Sequence, residues 1–76
     1  MSADEMKRVA ETAARIRAGV GGARVLDVPL VEEPTLVDDG LWLIKVRVMM
    51  RDGTAKAYEC DATERDVFAV RQVPAV

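Results

Sequence analysis

The chain carries few side chains able to do chemistry. Cys60 is its only cysteine, and there is no histidine. A thiol becomes a nucleophile when a nearby base or cation lowers its pKa. With no imidazole to act as that base, Cys60 is expected to sit buried as a small apolar side chain. One cysteine also cannot close an internal disulfide. Glu32, Glu33, Asp38 and Asp39 fall close together, preceded by Asp27, with no lysine or arginine from Val25 to Ile44. Oxygen donors of this kind suit a hard cation such as calcium. Their spacing lacks the alternate-residue ligands and central glycine of an EF-hand loop. The expectation is a solvated acidic loop, useful for solubility or for matching a basic partner. Lys45, Arg47, Arg51, Lys56 and Arg71 could together make a cationic sheet face. No aromatic side chain stands among them to stack bases, and a net charge of −2 offers phosphates no attractive field. No catalytic role, cofactor, metal or nucleic-acid partner is therefore expected.

The elements that must position these groups are legible in the spacing. Residues 41–61 read as one β-hairpin. Leu41-Trp42-Leu43-Ile44-Lys45-Val46-Arg47-Val48-Met49-Met50 has an apolar residue at every even position, Arg51-Asp52-Gly53 is a turn, and residues 54–61 return. A two-residue Asp52-Gly53 turn would put Tyr58 and Cys60 on the face opposite Ile44, Val46 and Val48. A three-residue turn with Gly53 at the bulge pairs Met50 with Thr54, Val46 with Tyr58 and Ile44 with Cys60. It also sets Lys45 opposite Glu59 on the other face, a favourable charge pair. The second register is consistent on both faces and is the one expected.

Residues 2–18 read as a helix. Ser2 and Glu5 have capping-box spacing, and Asp4 and Glu5 suit the positive end of the helix dipole. Met6, Val9, Ala10, Ala13 and Ile16, with Ala14 beside them, form an apolar stripe, while Lys7, Arg8, Glu11, Arg15 and Arg17 occupy the rest. Gly19 suits the left-handed residue after the helix. Residues 23–31 read as a first strand with Leu26, Val28 and Leu30 on one face. Pro29, having no amide hydrogen, makes it an edge strand or breaks it. Residues 32–40 read as the acidic loop, in which Leu36 and Val37 either pin the loop or extend a strand. Asp61 to Asp66 is a second polar turn. Residues 67–73 form the last strand, with Phe68 and Val70 inward and Arg71 outward. Trp42 is expected as a core anchor.

Seventy-six residues with half of them apolar make one small globular domain, residues 1–76, with a modest core. The expected fold class is α+β, with an N-terminal helix packed on one face of an antiparallel β-meander of three to four strands. The N-terminus lacks a signal peptide's apolar run, and no segment reaches the ~20 apolar residues of a membrane span. A cytoplasmic setting and no membrane partner are the expectations.

The segment Asp52-Gly53-Thr54-Ala55-Lys56-Ala57-Tyr58-Glu59-Cys60-Asp61-Ala62-Thr63, followed by Val67 and Val70, resembles the end of a PepSY domain. Such domains place a helix before strands that end in Asp-Gly, Tyr-Glu, Asp-Ala and a valine-rich strand. The likeness is closest over the last third of the chain. Glu64-Arg65-Asp66 stands where that family has a glycine-containing turn, and that family is typically exported. Gly40-Leu41-Trp42, the Tyr58-Glu59 strand and the Arg71 strand also resemble gas vesicle protein O, a small cytoplasmic assembly factor. That family's long acidic insertion and basic tail are missing here. Neither resemblance brings catalytic residues, and both imply binding or assembly. The expected function is a small non-catalytic protein-binding or regulatory module that acts through the open sheet face or an edge strand. Leu43, Lys45, Arg47, Met49, Val67 and Arg71 form its candidate face, with Val73 also outward. The alternatives are a self-associating assembly factor, including a homodimer built on a sheet surface, and a Cys60-dependent enzyme.

Overall fold

The computed structural model describes residues 2–63 and 65–74. In chain order it has α1 (Ala3–Gly19), a 3₁₀ turn (Gly22–Arg24), β1 (Val25–Asp27), β2 (Thr35–Asp38), β3 (Leu41–Met50), β4 (Ala55–Ala62) and β5 (Val67–Val73). The strands form one antiparallel sheet in the order β1-β3-β4-β5, with β2 also paired to β3. The fold is α+β, one helix against a five-strand sheet. β1 and β2 share one edge position. Val25 pairs with Met50, Leu30 bridges to Val46 and Asp38 pairs with Leu41, so residues 25–38 run down the whole of β3.

The central hairpin has the three-residue turn. Met50 N–H donates to the Thr54 carbonyl at 2.8 Å, and Gly53 has φ +90°. Ile44 pairs with Cys60, Lys45 with Glu59 and Val46 with Tyr58. Asp52 accepts from the Thr54 amide at 2.9 Å and from its hydroxyl at 2.6 Å, which closes the turn and holds the Asp52 carboxyl below its ordinary pKa. Arg51 ties the tip back to the 3₁₀ turn, its amide donating to the Arg24 carbonyl at 2.9 Å and its Nε to Ala23 at 3.2 Å.

β3 supplies the core. Ile44, Val46 and Val48 are fully buried, joined by Ile16, Val25, Val28, Cys60, Ala62 and Val67. Trp42 packs on this cluster from the side and is only half-buried, so it is a flank of the core rather than its anchor. The helix starts as expected, with Ser2 Oγ accepting from the Glu5 amide at 3.2 Å. Its buried face is rotated from the apolar stripe. Arg8, Thr12 and Ile16 are buried with Val9 and Ala13 beside them, while Met6 is 60% exposed. Thr12 can be buried because its hydroxyl donates to the Arg8 carbonyl at 2.7 Å within its own helix. Arg8 reaches Glu11 at 2.6 Å, which satisfies its charge near the surface. The left-handed residue after the helix is Gly21, with φ +84°, and Gly19 remains helical.

Two irregularities reset the faces of the edge strands. The register shifts between Val25 and Asp27, so the inward residues are Val25 and Val28, and Leu26 is exposed. The strand breaks before Pro29, whose carbonyl instead accepts from Arg47 N–H at 2.9 Å. On β5 the register shifts opposite Glu59/Asp61, and Ala69 adopts φ +51°. This bulge places one extra residue in β5. Val67 therefore pairs with Ala62 inside, and Phe68 pairs with Asp61 on the opposite face. Val70 faces the helix side, in an open cleft with Ile16, Val20 and Tyr58. The expected loop 32–40 contains β2, which turns into β3 through Asp39-Gly40 with Gly40 at φ +71°. Of the polar turn after β4, Glu64 lies outside the described residues. Thr63 N–H donates to the Asp66 carbonyl at 2.8 Å.

The positive-φ positions give opposite expectations in urea melts. Gly53→Val should cost at least ~1 kcal/mol and Gly53→Asn less. Ala69→Gly should stabilise by about 0.5 kcal/mol, since relief of left-handed strain outweighs the added freedom of the unfolded chain. Equal stability of all three with the parent would contradict these backbone assignments.

Candidate protein-binding face

α1 covers the face of Ile44, Val46 and Val48, and alternation turns Leu43, Lys45, Arg47 and Met49 to the other. The register across the sheet builds rows on that open face. Leu43, Asp61 and Phe68 form one row, Lys45, Glu59 and Arg71 the next, and Arg47, Ala57 and Val73 the third. Met49 and Ala55 close it. Of the face expected from sequence, Leu43, Lys45, Arg47, Met49 and Arg71 come together here. Val67 does not. It is 3% exposed, inside the core beside Ala62. Phe68, at 40% exposed, stands on the open face in its place. Simple alternation along β5 could not locate Phe68, because its side is set by the bulge at Ala69.

The electrostatics also differ from a cationic face. Arg71 donates from Nε to Glu59 Oε1 at 2.6 Å and from Nη1 to Asp61 Oδ2 at 3.4 Å. Both carboxylates hold its proton more tightly, Glu59 most. Lys45 lies opposite Glu59 as expected, yet its Nζ pairs with Glu32 of the preceding loop at 3.1 Å. Glu59 is already committed to Arg71 across the other strand pair. Arg51 and Lys56 are not on this face. Arg51 is bound at the turn, and Lys56 pairs with Val48 on the helix side. A hollow of about 250 Å³ opens on the face among Val31, Lys45, Arg47, Ala57, Glu59 and Val73. The small side chain of Ala57 leaves room for it.

Two acids of the loop are engaged locally. Glu32 pairs with Lys45, and Asp38 Oδ1 accepts from the Asp39 amide at 2.8 Å. Among the described residues, no three of Asp, Glu or Cys gather as a metal site. No helix of the described residues is long and apolar enough to cross a membrane. Cys60 is fully buried, and its Sγ donates to Thr12 Oγ1 at 3.4 Å. Burial pushes the thiol pKa up, and the Thr12 contact only partly opposes this. This geometry suits a packing thiol, the opposite of an activated one.

No family model matches the chain, and neither a curated protein nor a solved structure matches it significantly.

Because Cys60 keeps its proton more tightly in the folded state, the unfolded chain releases it first as pH rises. The stability tied to this proton is complete below the ordinary thiol pKa of 9.0 and is lost above it. Cys60→Ala should therefore show a shallower loss of stability above that pH than the parent protein. Alkylation of the folded parent should proceed only as fast as the protein opens. Rapid labelling of folded protein at neutral pH would contradict the burial.

Proposed function

We propose that the chain is a small non-catalytic module that binds another protein through its open sheet face. The observation that carries this reading is a sheet with one helix on one side and Leu43, Met49, Phe68 and Val73 left on the other. Apolar side chains gathered on an uncovered face, on either side of a row of ions that already hold partners, have the mixed make-up of a protein-docking surface. The pairing of Arg71 with Glu59 and Asp61 lowers the cost of covering them, because little charge would be stripped of water without a partner. The mixed charge favours a protein partner over nucleic acid, which would need an uncompensated basic field. The resemblances to PepSY domains and to gas vesicle protein O agree with binding or assembly. A cytoplasmic setting agrees with the single buried thiol.

The test is capture from the native cell with tagged protein and paired variants. Met49→Asp and Leu43→Asp should abolish recovery of the bound protein, because each places an unmatched carboxylate on the face. Met6→Asp, on the exposed side of α1, should leave recovery unchanged. Recovery that ignores the face variants would overturn the reading.

A further inference from the structure

We infer that the occupant of the open face is a second copy of this chain, in a weak two-fold dimer. This inference rests on the reading of that face as the docking surface. Three observations select a copy over other occupants. The first is shape. The face carries both a projecting aromatic, Phe68, and a hollow of about 250 Å³ between Val31, Ala57 and Val73. A patch that holds both a knob and a recess can be complementary to itself. A two-fold axis lying between the two sheets and oblique to the strands would seat each Phe68 in the other copy's hollow and bury both at once.

The second is charge. Lys45, Arg47 and Arg71 are set against Glu32, Glu59 and Asp61 within one copy. A strongly acidic or basic partner gains little from so balanced a surface, whereas a second balanced surface meets no net repulsion.

The third is area. β3 has 10 residues, so it is about 33 Å long, and four strand positions span about 19 Å. With β4 and β5 shorter, the footprint is about 500–600 Å² per copy, or about 1,000–1,200 Å² in all. That clears the roughly 1,000 Å² expected of a specific contact and stays at the lower end of stable interfaces. A contact of this size suits a weak, reversible dimer.

Sedimentation equilibrium of the full chain from low micromolar to near millimolar concentration tests this. The expected result is a mass that rises from one copy to two. Phe68→Glu and Val31→Glu, at exposed positions on the knob and the hollow, should each shift the midpoint upward at least ~10-fold, a loss of about 1.4 kcal/mol. Circular dichroism should show both variants folded, and Met6→Glu should leave the midpoint unchanged. A single-copy mass throughout, or a dimer indifferent to Phe68→Glu and Val31→Glu, would overturn the inference. If the chain stays monomeric while Met49→Asp and Leu43→Asp still abolish capture of another protein, the docking face stands and the second copy is excluded.

Discussion

Ile44, Val46 and Val48 have no exposed surface at all, and this one row on β3 organises the molecule. Each such side chain contributes about 1.5–3 kcal/mol when withdrawn from water. No other element of so short a chain offers a comparable run. β4 aligns Tyr58 and Cys60 with it, β1 adds Val25 against its end, and Ile16 descends from the helix. Because side chains alternate along a strand, burying this row obliges Leu43, Lys45, Arg47 and Met49 to the other side. The open face is thus a geometric consequence of the core.

A single helix cannot cover both faces of a sheet, and this one is economical in how it covers its own. It contributes a threonine to the centre, closed by its own Arg8 carbonyl and contacted by the Cys60 thiol. A hydroxyl with both hydrogen-bonding functions engaged costs little to bury. The buried cysteine and threonine form a small, close contact between α1 and β4, where larger side chains would push the helix away. The thiol's raised pKa follows from its burial in that seam, against the smaller opposing effect of the Thr12 hydrogen bond, and gives Cys60 a packing role.

The two sheet edges are managed by irregularity. On one, two short strands and a proline-containing connection share the position beside β3. On the other, the bulge at Ala69 interrupts β5. Broken edges are poor templates for pairing with another chain. The flat face between them keeps its regular rows, with Arg71 paired across strands to Glu59 and Asp61 and Lys45 held by Glu32 of the preceding loop. The edges discourage association while the face permits it.

Local sequence chemistry determined the helix and its Ser2 cap, the central hairpin with its three-residue turn, and the pairing of Ile44 with Cys60. These depend on neighbours in the chain: a side chain reaching an amide three residues on, a glycine at positive φ, a strict alternation. The same logic applied to Asp39-Gly40 marks the turn into β3, a signal obscured by the acidic run around it. Only the tertiary structure decided that Val67 is inside and Phe68 outside, because one bulged residue inverts every side chain beyond it. It also decided that Thr12 and Arg8, rather than Met6, lie under cover, since their polar atoms are satisfied within the helix itself and the packing on the sheet is left to choose which side is buried. Lys45 pairing with Glu32 in place of Glu59 has the same origin. Register placed the expected pair together, and competition from Arg71, a contact between different strands, reassigned it. What acts between neighbours in the chain can be read from the sequence, whereas what depends on a choice among distant partners is settled only when the chain is folded.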